Sequence, residues 1–172
     1  MLNKIYTQEK YSREVAATFM RGGTSKGLML IRRDLPKDKK KWDEIFLNAM
    51  GSPDHNGRQL NGLGGGISSL SKVCVVETSK DEQADIDFTF GQVSVSQPIV
   101  EYLGACGNMS AAVGPFATMR SLVATPSEGE TIVTIRDVNT KKLIRSRFVM
   151  KSGVPCITVS YTHLTLPTIL LV

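Results

Sequence analysis

The sequence predicts an α+β fold in which strands surround one buried helix. The helix is expected over 108–123, where small and apolar residues fall on nearly every face, because a helix that is apolar all round belongs inside a protein. Before and after it, short segments alternate apolar and polar residues, which is typical of half-buried strands. The chain has 172 residues, of which 41% are hydrophobic and 22% charged, so we expect one ordinary domain with its own core.

The first fifty residues are predicted to form a hairpin and a helix. Strands are expected over 15–20 and 28–31, separated by a turn over 21–27 that contains three glycines. A helix is expected over 36–50, since a proline suits its start and apolar residues recur at helical spacing. Trp42 lies on that apolar face and is therefore predicted to be core.

A Gly-Ser-Pro-Asp stretch over 51–54 ends this helix, and a glycine-rich loop over 61–71 leads into further strands. Residues 86–90 and 93–95 flank Gly91, and we interpret them as a hairpin-like pair of strands. The remaining strands are predicted over 72–76, 131–135 and 143–149.

The composition and charge of the chain argue against nucleic-acid and membrane partners. Part of the net charge of +5 comes from a lysine-rich run over 37–41, which we interpret as a solvated helix start, because aromatic interleaving and nucleic-acid motifs are missing. No apolar run reaches membrane-spanning length. Three cysteines without a secretory leader make a disulfide framework improbable. We therefore expect a cytoplasmic protein with no nucleic-acid partner and no membrane contact.

The end of the chain is unusual. From about residue 159 onward the sequence contains no Asp, Glu, Lys or Arg, and it resembles translated adapter sequence rather than a natural domain. We expect a domain over 1–158 and a non-native tail over 159–172. The alternative is a natural last strand, since Ile157, Val159 and Tyr161 alternate with polar residues.

The strongest candidate for chemistry is Cys106, which directly precedes the predicted buried helix. The positive end of a helix dipole favours a thiolate there. Gly107 allows close approach of a ligand, and the free amides of the first helical turn can hold a carboxylate. A small buried cysteine packed at a helix start is an equally good interpretation from these residues alone.

Two further segments could bind anions. Three consecutive glycines over 64–66 could direct backbone amides at an anion, and Lys72 follows where loop becomes strand. A partly desolvated lysine can act as a base, although a surface lysine is the better interpretation of Lys72 taken alone. The turn over 21–27 combines two cations with hydroxyls and suits a ligand with several carboxylates, although an ordinary glycine hairpin is the better interpretation of this turn taken alone.

Other catalytic motifs are weaker. Ser69 and Lys72 match the Ser-x-x-Lys of some serine hydrolases, but the Ser-Asp-Asn that accompanies it there is missing. Histidine, cysteine and carboxylate residues nowhere show metal-ligand spacing, so we predict no metal.

Four separated segments together resemble the PrpF-like isomerases, in order and spacing, across about 18–155. The matching segments are Met20–Gly27, Gly51–Asp54, Gly62–Gly66 with Ser71–Val73, and Ala105–Ser110. That family includes isomerases of 2-methylaconitate and aconitate and a 4-oxalomesaconate tautomerase. Leu70 stands where relatives often carry a threonine, which puts one substrate contact in doubt.

The resemblance implies one half of the diaminopimelate-epimerase fold, a curled, mostly antiparallel sheet wrapped around a central helix. It implies proton transfer on an unsaturated tricarboxylate by Lys72 and Cys106, without a cofactor. It also implies substrate binding by three segments, the hairpin turn, the glycine-rich loop and the start of the helix. The residues concerned are Arg21, Thr24, Ser25, Lys26, Gly65, Gly66, Ser68, Ser71, Gly107, Asn108 and Met109.

The same fold binds substrate between two halves, and only one is expected here, so we expect this chain by itself to be inactive. The alternatives are a non-catalytic carboxylate-binding or dimerising half-domain and, more weakly, an amino-acid epimerase or racemase. A homodimer is among the expected assemblies.

Overall fold

The computed structural model describes residues 14–157 and the backbone of 169–171. In that part of the chain, two α-helices and nine strands follow one another. In chain order they are β1 (Ala17–Gly22), β2 (Ser25–Ile31), α1 (Lys40–Met50), β3 (Lys72–Thr78), β4 (Ile86–Val93), β5 (Val100–Glu101), α2 (Gly107–Met119), β6 (Gly129–Asp137), β7 (Leu143–Lys151), β8 (Val154–Pro155) and β9 (Ile169–Leu171).

All described strands belong to one sheet, in the order β1-β2-β3-β4-β6-β7-β8, with β5 beside β4 and β9 beside β7. Only the β2–β3 and β4–β6 pairs are parallel. The prediction of an α+β fold with a mostly antiparallel sheet is confirmed.

Helix α2 lies at the centre of this sheet. It contacts β1 and β2 at one end of the strand order and β7 and β8 at the other, so the sheet curls around it. Every residue from Met109 to Ala117 is buried, because the side chains of the concave sheet face cover the helix on nearly all sides. The prediction of a buried, all-apolar helix is confirmed, and Phe116 is only 1% exposed.

Helix α1 covers part of the opposite, convex face. Trp42 and Phe46 pack there against alternate residues of β2 and β3, among them Leu28 and Val73. The core position predicted for Trp42 is confirmed, and its indole nitrogen donates to the Pro36 carbonyl at 2.9 Å. Because α1 and α2 cover both faces of β2 and β3, these strands have continuous apolar runs rather than an alternating pattern.

Four predicted boundaries were wrong. Helix α1 begins at Lys40 rather than at 36, and the Asp38 carboxylate accepts the Lys40 N–H at 3.0 Å. The hairpin turn comprises only Gly23 and Thr24, since β1 and β2 stay paired as far as Gly22 and Ser25. Gly91 does not divide two strands but lies inside β4, where the side chain of Val73 occupies the space that a Cβ would need. Helix α2 ends at Met119 rather than at 123, because Ser121 takes the left-handed conformation, with φ of 54°.

Most of the predicted tail lies outside the described residues. Only the backbone of β9 is described there, antiparallel to β7, and the non-native origin of 159–172 stays a prediction. No helix in 14–157 is both long and apolar enough to cross a lipid bilayer.

Candidate active site

Lys72 lies at the rim of the concave face of the sheet. Side chains alternate along a strand, and Cys74 and Val76 on β3 both belong to the core around α2. Lys72 therefore points to the same side, one step beyond the apolar core. It is 8% exposed, so the prediction from its residue type alone, a surface lysine, is wrong.

Two side chains of β4 contact the Lys72 amine. Its Nζ donates to Oε1 of Gln92 at 2.7 Å and lies 5.0 Å from the centre of the Phe90 ring. Gln92 is the strand partner of Lys72 in the β3–β4 ladder. The amine thus has one polar contact and one aromatic contact, both from β4.

A glycine on β2 makes room for this lysine. Gly27 is the register partner of Lys72 in the parallel β2–β3 pair. A Cβ on Gly27 would lie 2.5 Å from the Lys72 carbonyl oxygen and 3.0 Å from its Cβ. The glycine that closes the predicted turn segment is therefore required by the close approach of Lys72.

Cys106 caps the N-terminus of α2. Its sulfur accepts the backbone N–H of Met109 at 3.5 Å, and its carbonyl accepts the Ser110 hydroxyl at 2.9 Å. Cys106 is half-buried, whereas Gly107 and Asn108 are exposed. The first amides of a helix have no acceptor within that helix, so this exposed turn can hold an anion.

Cys74 connects the two candidate residues. Burial raises the pKa of its thiol well above the ordinary value, the nearby Cys106 raises it further, and the charge of Lys72 opposes both. The thiol of Cys74 is 0% exposed and lies in the core beneath the rim. Lys72 and Cys106 lie at the same end of the concave face, because Gly27, the partner of Lys72, is two residues along β2 from Ser25, and the β1–β2 turn beside Ser25 contacts Asn108 of α2.

The β1–β2 turn packs directly against the first turn of α2. Asn108 donates from its side-chain amide to the Thr24 hydroxyl at 3.1 Å. A Cβ on Gly22 would lie 2.2 Å from the backbone carbonyl of Asn108, so only glycine allows this approach. The structure thereby brings Thr24, the buried Ser25 and the start of α2 together.

The glycine-rich loop is folded around one buried side chain, Gln59. Its Oε1 accepts the N–H of Gly66 at 2.9 Å and the hydroxyl of Ser71 at 2.5 Å, and its Nε2 donates to Ser52 at 2.8 Å. The N–H of Gly64 donates to the Met50 carbonyl. In this conformation Gly66 and Ser71 are bound to the protein itself, whereas Gly65 and Ser68 are exposed.

The model of the PrpF protein family matches residues 12–161. The chain belongs to the PrpF family. The putative isomerase YraM of Bacillus subtilis is 45% identical over 79% of the chain and 36% of its own length. The 2-methyl-aconitate isomerase of Cupriavidus necator is 40% identical over 81% of the chain and 37% of its length.

The solved structures agree with this assignment. The crystal structure of methylitaconate-delta-isomerase matches with a TM-score of 0.81 and 38% identity, over 90% of this chain and 39% of that one. A hydroxyproline epimerase from Agrobacterium vitis, at 15% identity and a TM-score of 0.51, shares the fold alone. This PrpF-family chain therefore spans about two-fifths of the length of the relatives it matches.

Two predicted site residues of the PrpF chain lie apart from this rim. Arg21 and Lys26 are register partners across the hairpin, and strand alternation places them on the face opposite to Gly22, Ser25 and Gly27. That face is the one turned away from Lys72. Their predicted role in substrate binding stays a prediction, but the described residues do not bring them together with the amine.

The sequence analysis missed Gln59 and Gln92. Both are uncharged residues that match no motif, and each is important here because of a partner far along the chain. The only sequence signal for Gln92 is its position, two and four residues beyond Phe90 and Phe88 on one face of a strand. Within 14–157 no three His, Cys, Asp or Glu residues are grouped so as to hold a metal ion.

Proposed function

We propose that this chain supplies the proton-transfer residues of an isomerase that shifts a proton within an unsaturated tricarboxylate such as 2-methylaconitate, aconitate or oxalomesaconate. The observation that supports the proposal is the position of Lys72 and Cys106 at one end of the concave face, where β2 and β3 begin and the β1–β2 turn contacts the start of α2. Relatives named 2-methyl-aconitate isomerase and 4-oxalomesaconate tautomerase support this substrate class. A relative named 3-methylitaconate isomerase acts by its name on an unsaturated dicarboxylate.

Lys72 is the proposed base. Its amine removes an allylic proton next to a carboxylate, and the electron pair of that C–H bond delocalises into the conjugated acid. The double bond moves or rotates, and a proton returns to carbon, so nothing is gained or lost overall. Because no electron or group is transferred, this chemistry needs no cofactor. General acid–base catalysis of this kind contributes roughly 10²–10⁴-fold.

Cys106 is the proposed partner acid, and the helix start behind it is the proposed carboxylate site. The thiol lies on the cap of α2, where the helix dipole favours a bound carboxylate. The exposed turn at Gly107 and Asn108 offers amides to a carboxylate oxygen. Fixed donors of this type stabilise charge that develops during reaction, commonly the largest catalytic contribution.

A second candidate function is a carboxylate-binding or dimerising unit without catalysis. Exposed apolar side chains flank both site segments. Leu63 and Ile67 are each 55% exposed in the glycine-rich loop, and Leu103 is 94% exposed just before Cys106. Such residues fit a surface that is covered in a larger assembly.

The test uses deuterium exchange. The chain spans 36% of the 3-methylitaconate isomerase of Eubacterium barkeri. We therefore join it to the part of that protein that it does not match, and we call the product the fusion. The loss of allylic proton signal from 2-methylaconitate and oxalomesaconate is followed by NMR in deuterated water, with the chain alone in parallel. Cys106→Ser is compared with Cys156→Ser, an exposed free cysteine.

We expect the fusion to exchange the allylic proton of at least one of the two acids for deuterium. The rate of that exchange should fall by roughly 10²-fold or more in Cys106→Ser and should not change in Cys156→Ser. A folded fusion that binds both acids and exchanges neither would contradict it and would leave the second candidate. Deuterium exchange at the Cα proton of proline, with no exchange in either acid, would favour a racemase.

A further inference from the structure

The inference concerns Gln92, the strand partner of Lys72 on β4. Its side chain is anchored at both ends. Nε2 donates to the carbonyl oxygens of Ser71 at 2.9 Å and Ser68 at 3.0 Å, and Oε1 accepts from Lys72 Nζ at 2.7 Å. Gln92 therefore connects the loop before Lys72, the strand beside it and the amine itself.

The orientation of this amide is not interchangeable. A flipped side chain would place Oε1 against the carbonyl oxygens of Ser68 and Ser71, so both of those hydrogen bonds would be lost. It would also place Nε2 against the Lys72 amine, which in its charged form can only donate. The backbone of the Ser68–Ser71 segment thus forces an acceptor to face Lys72.

The acceptor that faces Lys72, the amide oxygen of Gln92, is uncharged, and this affects how well Lys72 can act as a base. An N–H of Lys72 bound to Oε1 fixes rotation about the terminal bond of the side chain, so the remaining positions on nitrogen have defined directions. A carboxylate in the same place would also hold the amine, but it would favour the charged form, which cannot take up a proton. The amide oxygen of glutamine holds the amine and favours its charged form less than a carboxylate would, because it carries no full negative charge.

We propose that Gln92 is the positioning residue of Lys72, holding its amine at the rim of the concave face while leaving it able to exchange a proton. The inference rests on the proposed function, in which Lys72 is the base. The side chain of Gln92 contacts Lys72, Ser68 and Ser71, so its proposed effect on the reaction acts through Lys72.

The test observes Lys72 directly in the 172-residue chain, labelled with ¹⁵N and ¹³C lysine. Scalar couplings at the end of the side chain report whether one rotamer is populated, and hydrogen exchange at Nζ reports the bond to Gln92. Gln92→Leu and Gln92→Glu are compared with Gln97→Leu, an exposed glutamine in the loop that follows β4. Amide spectra establish that each variant is folded.

In Gln92→Leu we expect averaged couplings and Nζ exchange faster by roughly tenfold, the effect of one lost hydrogen bond to a charged group. In Gln92→Glu we expect an ordered Lys72. Gln97→Leu should match the wild type. An ordered, slowly exchanging Lys72 in folded Gln92→Leu would overturn the positioning role, whatever the protein catalyses.

Deuterium incorporation in the fusion separates the two proposals. If Gln92 positions the base, Gln92→Leu and Gln92→Glu both lower kcat with little change in KM, since substrate contacts remain. A disordered Lys72 with unchanged kcat would contradict Lys72 as base but not its contact with Gln92. Unchanged kcat in Gln92→Glu together with an ordered Lys72 would contradict the requirement for a neutral partner.

Discussion

Lys72 differs from other lysines of the chain in its surroundings rather than in its type. It begins a strand, which taken alone favours solvent exposure, yet strand alternation turns it to the concave face beside Phe90 and Gln92. Gly27 on the neighbouring strand leaves the space it occupies. The position of this amine therefore depends on residues from three strands.

Gly27→Ala should displace Lys72. The new Cβ would lie 2.5 Å from the Lys72 carbonyl oxygen, which is backbone and cannot move freely. Overpacking of this kind costs about 1–3 kcal/mol, and we expect that loss in the free energy of unfolding measured with urea. Gly104→Ala is the control, since a Cβ there meets nothing within 4 Å. Equal stability of the two variants would contradict the predicted crowding.

Asp54 should make the loop that carries Gln59 sensitive to acid. Backbone N–H bonds from Asn56, Arg58 and Gln59 hold the pKa of this carboxylate below its ordinary value of 3.8. A lowered folded-state pKa stabilises the fold above 3.8, and that contribution is lost as the pH falls through the folded value.

We therefore expect amide exchange in the Asp54–Gln59 loop to accelerate, relative to the rest of the chain, only below about pH 4. Asp54→Asn should show the faster exchange already at neutral pH. The measurement is hydrogen exchange by NMR across pH 3–7. A loop whose relative protection is constant over that range would show that the carboxylate does not organise it.

At the scale of elements, the parallel β4–β6 pair is held by an ion pair as well as by its ladder. Arg136 donates from Nε to Asp87 at 2.9 Å and pairs with it through a second nitrogen. Burial by itself raises the pKa of Asp87, but hydrogen bonds from Arg136 and Ser79 and the charge of Arg136 outweigh it, so that the pKa lies below the ordinary value.

Asp87→Asn should thus lower stability by about 1–3 kcal/mol at neutral pH, the range for hydrogen bonds to charged groups. Because the folded-state pKa is depressed, the difference from wild type should vanish as the pH falls below 3.8 towards that folded value. Urea unfolding at several pH values measures this, with Glu77→Gln on the neighbouring strand as an exposed control. A difference that does not change with pH would contradict the ion-pair explanation.

Helix α2 should be the most sensitive element. Phe116 is 1% exposed on the side of α2 that meets the concave sheet, whereas Met119 on the same helix is 42% exposed. Phe116→Ala should cost about 3–5 kcal/mol through the cavity it leaves, and Met119→Ala about 0.5 kcal/mol or less. Similar losses in urea unfolding would show that α2 is not the centre of the fold.

For the whole molecule, the sequence predicts best what depends on local pattern. The apolar helix, the convex packing of Trp42 and the cap at Cys106 follow from periodicity and helix-end chemistry, and all are observed. The bonds from Gln59 to Ser71 and from Lys72 to Gln92 could not be predicted, because these pairs are twelve and twenty residues apart and the glutamines are neutral.

Orientation is the second feature that local pattern does not determine. The segment over 21–27 combines cations and glycines, and the sequence analysis places all of them in one site. A two-residue turn instead makes Arg21 and Lys26 a cross-strand pair on the convex side, with Gly22 on the concave side. Because side chains alternate along a strand, a shift of one residue in the pairing moves a residue from the convex face to the concave face.

The central claim is that Lys72 is the base of a proton shift, and one comparison tests it most directly. Deuterium incorporation into 2-methylaconitate is measured in the fusion with Lys72→Ala and, separately, with Lys80→Ala, an exposed lysine beyond the other end of β3. The account predicts a loss of roughly 10²–10⁴-fold in the first variant and wild-type rates in the second. Wild-type rates in a folded Lys72→Ala fusion would contradict it.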